Sequence, residues 1–339
     1  MRFFWVIKAR TAMLCLLACF ALLIVVYSWN YAAQAFFPWG KKEVVLMGHV
    51  LDPASPDLEG QVSRLTESLK QPAVDAQYDP VNKSVIPDIN GFDIDVAETV
   101  AKIKATRKGA NIVPVWRELP AQVTIEDYKD LPIYQGNPVK KQISLVVNVS
   151  WGNEYLEEML AILTEEKISA SFFLVGRWAD GNPELVKRIH DLGHDFGNHG
   201  YSDLHMQDIS PEAIKNEIIK TNEVVEGLTG VEMKWFSSPY GEKVEKIYSA
   251  ATEVGLHTVL WSLDTVDWTL PGEEVIVERI VDNLHNGAII LMHPTEQTPG
   301  ALKKLIASFR EQGYQAVTVS ELLNPSHWPQ KYSTLWSGN

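Results

Sequence analysis

Beyond residue 140 the chain alternates two hydrophobic patterns with little interruption. Short apolar runs at 143–149, 171–175, 194–197, 233–237, 258–263, 288–292 and 316–319 read as strands, because a strand buried on both faces needs no polar alternation. Between them, apolar residues recur every three or four positions in segments centred near Leu160, Val186, Ile218, Ile247, Ile280 and Leu305, the spacing of an amphipathic helix. Repeated strand–helix units predict a parallel sheet covered by helices. Seven such strands predict an α/β fold, a distorted (β/α) barrel with its cleft at the strand C-termini.

The pattern upstream is different. No charge occurs from Thr11 to Gly40, and Arg2, Lys8 and Arg10 precede that run. A signal peptide or an uncleaved transmembrane helix fits. Ala33-Gln34-Ala35 has the small-x-small form of a cleavage site, which leaves secretion after cleavage open. The length of the run and the flanking Trp29 and Tyr31 favour the anchor, with the basic end inside and the rest exported. Residues 1–36 are therefore assigned as the anchor, 37–139 as a stalk and small α+β module, 140–323 as the barrel and 324–339 as a tail. Within the module, Asn90-Gly91 predicts a turn and Asp95 caps a helix over 96–107, followed by a strand over 112–117.

Charge and cysteine content remove several function classes. A net charge of −13 disfavours nucleic acid as a partner. Cys15 and Cys19 both lie in the apolar run, so the exported part has neither a disulfide framework nor a thiolate metal site. There is no glycine-rich phosphate loop, nucleophile elbow or HExxH segment.

Candidate chemistry lies at the ends of the predicted strands. Asn148-Val149-Ser150-Trp151-Gly152, His199-Gly200-Tyr201-Ser202-Asp203, Ser237-Ser238-Pro239-Tyr240-Gly241, Asp264-Thr265-Val266-Asp267-Trp268 and Leu291-Met292-His293 follow one another in a fixed order. Over about residues 142–323 this series resembles the polysaccharide deacetylase (NodB-type, carbohydrate esterase family 4) motifs. It is most similar to the sporulation-associated YlxY-type branch, in which Asn-Val-Ser/Ala-Trp-Gly-Asn-Glu-Tyr also replaces the usual Asp-Asp motif. The resemblance implies an envelope protein that acts on or binds peptidoglycan amino sugars. It also implies a divalent metal, zinc, that activates water while a base and an acid move protons.

Carried over residue by residue, the resemblance makes His293 the general acid and Asp267 the carboxylate that tunes it. Tyr240 falls where a backbone N–H helps hold the oxyanion. The first motif departs from the family: Ser150 stands at the base position and Trp151 at a metal-ligand position, and neither side chain can do that work. Ser237 stands where an arginine orients the base. His199 matches the first histidine ligand and Asp203 takes the place of the second, with His205 two residues on. These three are the candidate metal set. Trp151, Trp178, Trp261 and Trp268 fall near strand ends, where indoles stack on sugar rings or fill a core. Two readings stand, a hydrolase with a rearranged metal site and a non-catalytic descendant that binds glycan, and the missing residues favour the second.

Overall fold

The computed structural model describes residues 43–107 and 109–326. The anchor expected over 1–36 and the tail beyond 326 lie outside the described residues. Among the described residues, no helix is long and apolar enough to cross a membrane.

The chain forms two compact units. Of the described residues, the smaller takes those within 43–68 and 94–115. Its strand Val44–Leu46 pairs antiparallel with His49–Leu51 and parallel with Asn111–Ile112. Helices Leu58–Thr66 and Val96–Ala105 bury Leu58, Val62 and Ile103 against Val44, Leu46, Leu51 and Ile112. The Asp95 carboxylate accepts the Glu98 N–H at 2.8 Å, so the predicted cap starts its helix.

The division differs from the continuous 37–139 module read from the sequence. Residues 69–93 and 116–139 belong with the barrel. The strand expected over 112–117 becomes Asn111–Ile112 in the small unit and Trp116–Leu119 in the large one, where the latter pairs with Gly91–Ile94. Side-chain hydrogen bonds tie this belt down, most of them from buried residues. Asp75 accepts the N–H groups of Gln122 and Val123, Asp88 accepts that of Ile125, and Asn137 donates to the Pro87 carbonyl at 2.7 Å. Lys140 is 1% exposed and its ammonium donates to the carbonyls of Leu322 and Asn324, with burial lowering its pKa to about 8.

Eight parallel strands form the main sheet of the larger unit: β1 (Gln142–Val149), β2 (Ser171–Leu174), β3 (Asp195–Asn198), β4 (Trp235–Phe236), β5 (His257–Thr258), β6 (Leu263–Asp264), β7 (Ile289–Met292) and β8 (Gln315–Val317). Their order is β5-β4-β3-β2-β1-β7-β6, with β8 also on β1. Side chains alternate faces. Leu145, Val147, Phe172, Leu174, Ile290 and Met292 pack outward against helices such as Asn153–Glu166 and Thr298–Glu311. Val146, Phe173, Trp235, Ile289 and Leu291 turn inward onto Ile125, Leu131 and Ile133 of the belt.

The fifth strand expected, over 258–263, is two short ones. The Val259 N–H still bonds to Phe236 of β4, but that of Leu260 bonds to Ile133, and that of Ser262 to Ile289 of β7. In five residues the chain thus passes from one end of the curled sheet to the other, with Ile133 between. That exchange of partners breaks the run.

His194 begins the turn into β3 and is buried, with its ring edge-on to Phe172. Its Nδ1 accepts the Ala170 N–H at 3.2 Å and its Nε2 has no partner. Burial lowers its pKa from 6.5 to about 4. Between those values the unfolded chain binds a proton that the folded chain excludes, so stability is complete above the upper value and falls as pH drops through the window. Urea unfolding followed from neutral pH downward should show a slope from this group of up to about 1.4 kcal/mol per pH unit. That contribution should vanish in His194→Gln, and an unchanged slope there would contradict it.

Candidate functional site

The site forms where inward-facing positions run out at the C-terminal ends of the strands. Val146 faces the inner core and Asn148 follows on the same face by the period of two. After β1 the chain turns sharply at Gly152, whose φ is 80°. A Cβ there would meet the Pro294 carbonyl oxygen at 2.1 Å, so only glycine brings Trp151 this close to the loop after β7. That loop begins with His293, because the ladder sets Met292 opposite Val147 of β1.

Asp267 holds His293. The carboxylate is fully buried and accepts the His293 backbone N–H at 2.7 Å, its Nδ1–H at 2.9 Å and the Thr298 hydroxyl at 2.8 Å. With Nδ1 committed as a donor, Nε2 is the nitrogen free to exchange a proton in the cleft.

His199 follows β3. Its Nδ1–H donates to the Ser237 carbonyl at 2.8 Å. Burial lowers its pKa to about 4, a shift that His293 adds to and the carbonyl opposes. The ring is therefore neutral through the physiological range. The loop beyond is fastened by Glu217, which accepts the N–H groups of Tyr201 and Ser202 at 3.0 and 2.6 Å. Asp203 sits at φ 57°, a left-handed conformation that aspartate tolerates. Burial raises its carboxyl pKa, while Arg177, His293, the Ser150 hydroxyl and His205 counter that effect.

The residues meet in a cleft of about 410 Å³. Ser150, Trp151, His199, Asp203 and His293 line it, as do Tyr240, Trp261 and Trp268. Asn148, Asp264 and Leu291 complete the lining, and the sequence reading gave none of these three a role. The signal that could have found Asn148 is the strand alternation itself. Tyr240 has a φ of 61°, and its hydroxyl donates to the Asp203 carbonyl at 3.1 Å.

The placement of His205, and with it the candidate metal set, differs from expectation, while Ser237 and Trp178 are buried. His205 does not line the cleft: its Nδ1 pairs with Glu242 at 2.8 Å and its ring stacks on Tyr240 at 3.9 Å. Ser237 is buried and does not line the cleft, offers only its carbonyl to His199, and leaves its hydroxyl oxygen without a partner. Trp178 is a core residue whose Nε1–H donates to Asn153. The set His199, Asp203 and His205 does not converge, and among the described residues no three His, Cys, Asp or Glu side chains gather as a metal donor set. A catalytic zinc takes three protein ligands and one open position. The residues present do not fit that group, because His205 is bound to Glu242 and an indole stands at the position of a ligand carboxylate.

Residues 135–259 match the family model described as Polysaccharide deacetylase. The chain is 37% identical over 284 residues to the uncharacterized protein YlxY of Bacillus subtilis strain 168, covering 84% of this chain and 88% of that one. It is 36% identical over 185 residues to a peptidoglycan-N-acetylglucosamine deacetylase of Bacillus cereus, covering 51% of this chain and 84% of that one. Among solved structures, wild-type BA3943 of Bacillus anthracis, described as a CE4 family pseudoenzyme, superposes with a TM-score of 0.68 at 33% identity, covering 80% of this chain and 96% of that one. A BA3943 mutant described as having restored enzymatic activity superposes equally well, at 0.68 and 32% identity over 80% of this chain and 99% of that one. Motif order, curled parallel sheet and these similarities agree: this chain belongs to the polysaccharide deacetylase family.

Proposed function

We propose that this chain is a non-catalytic, peptidoglycan-binding member of its family, held at the outer face of the membrane by residues 1–36 and linked to sporulation. The observation that carries the reading is the indole of Trp151 in the same cleft as His293, with Ser150 beside Asp203. Those are the two positions at which water activation would need carboxylates. The description of BA3943 as a pseudoenzyme supports the same reading. An aromatic surface of Trp151, Trp261, Trp268 and Tyr240 suits a sugar ring, since stacked rings add on the order of 1 kcal/mol beyond burial.

The purified full chain should release no acetate from N-acetylglucosamine oligomers, and His293→Ala should change nothing. In a pull-down with isolated peptidoglycan, Trp151→Ala should retain only about a fifth of the binding while the protein stays folded. The intact His293–Asp267 pair favours a second reading, an N-deacetylase working through a rearranged site. Acetate release that disappears in His293→Ala would establish that second reading and overturn the first. Protease treatment of intact cells should cleave the barrel from outside.

A further inference from the structure

We infer that the cleft selects an amino sugar with a free ammonium group, the de-N-acetylated form of the glycan, over the acetylated form; this rests on the glycan-binding reading above.

The first ground is the charge of the lining. Asp203 and Asp264 are its ionisable acids, and no lysine or arginine lines it. Neither carboxylate has a lysine or arginine at ion-pair distance among the described residues. Arg177 acts on Asp203 only from a distance, and its guanidinium donates to the Ser202 carbonyl at 3.4 Å. His199 supplies no positive charge, because its one N–H is bound to Ser237. His293 also lines the cleft, but its Nδ1 is paired with the fully buried Asp267 carboxylate, so that pair adds no net positive charge. Two further carboxylates with no lysine or arginine beside them favour a cationic ligand.

The second ground is independent of charge. Asn148 is 6% exposed, lines the cleft, and its Oδ1 has no hydrogen-bond partner. A buried acceptor without a donor is costly, on the order of 1–3 kcal/mol, and is relieved by a ligand that brings N–H groups. An ammonium brings three donors and no acceptor. An acetamide brings one donor together with a carbonyl oxygen that meets two carboxylates. The aromatic walls add a further preference, because indole faces attract a cation that has left bulk water.

The test compares two probes on the full chain with a chelator present, read by tryptophan fluorescence. One is the β-1,4-linked tetramer of glucosamine and the other the tetramer of N-acetylglucosamine. The glucosamine tetramer should bind tighter by on the order of tenfold. Asp203→Asn and Asp264→Asn, singly, should shrink that ratio, and the double variant should abolish it. Asparagine accepts the left-handed backbone at 203, so the fold is kept, as circular dichroism would verify. Equal or tighter binding of the acetylated tetramer overturns the ammonium preference and leaves the glycan reading standing. A preference that persists in the double variant overturns the assignment to these carboxylates. Binding of neither tetramer overturns both readings.

Discussion

Exchanging four residues together, Ser150→Asp, Trp151→Asp, Asp203→His and Ser237→Arg, should yield a chain that retains about one zinc ion per molecule after dialysis, while the native chain retains none. His199 is already prepared. Its Nδ1–H is held by the backbone carbonyl of residue 237, which a side-chain change there does not remove, so Nε2 is left as the ligating nitrogen. Histidine enters the left-handed region that residue 203 occupies, and an aspartate at 151 supplies the third ligand. A buried guanidinium at 237 is tolerated only when paired, and the new carboxylate at 150 is the partner intended for it. The double exchange Ser150→Asp, Trp151→Asp should retain no zinc. It brings two more carboxylates beside Asp203, and like charges in a half-buried site repel. Elemental analysis decides the matter. A folded quadruple variant without zinc would mean that these motif positions do not share one cleft in the way assigned.

Asp267→Ala should lower the free energy of unfolding by about 3–5 kcal/mol. The carboxylate is fully buried and accepts three hydrogen bonds, from the His293 N–H, the His293 ring and the Thr298 hydroxyl. Truncation leaves three donors without water or protein to receive them. Asp267→Asn should cost less, about 1–2 kcal/mol, because one amide oxygen still serves two of the donors. Its NH₂ would then face the His293 ring, making Nδ1 an acceptor and moving the proton to Nε2. Urea unfolding measures the first effect and nitrogen NMR of the imidazole the second. A loss below about 1 kcal/mol in Asp267→Ala would show that the carboxylate does not hold the end of β7.

Much of the architecture was legible because periodicity records which face of an element is buried. The alternation around Val146 and Val147 sorts inner from outer residues of β1, and Asp95 stops one element and starts the next by its own side chain. The order of His199, Tyr240, Asp267 and His293 at strand ends places them on one side of a parallel sheet, since in such a sheet all C-termini share an edge. What periodicity does not carry is the identity of a distant partner. His205 stands two residues from Asp203 in the chain, yet Glu242, 37 residues away, takes its ring. The run at 258–263 looks continuous in sequence and is divided only because Ile133 bonds to its middle. Trp178 reads like Trp151, and Asn153 together with the outer core decides that it is buried. The sequence by itself determined the helix-covered parallel sheet and the residues that stand at its two motif carboxylate positions. Among the described residues the sheet curls without its end strands pairing into a closed barrel. The tertiary structure alone decided which side chains share the cleft, because that choice depends on hydrogen bonds and packing between residues far apart in the chain.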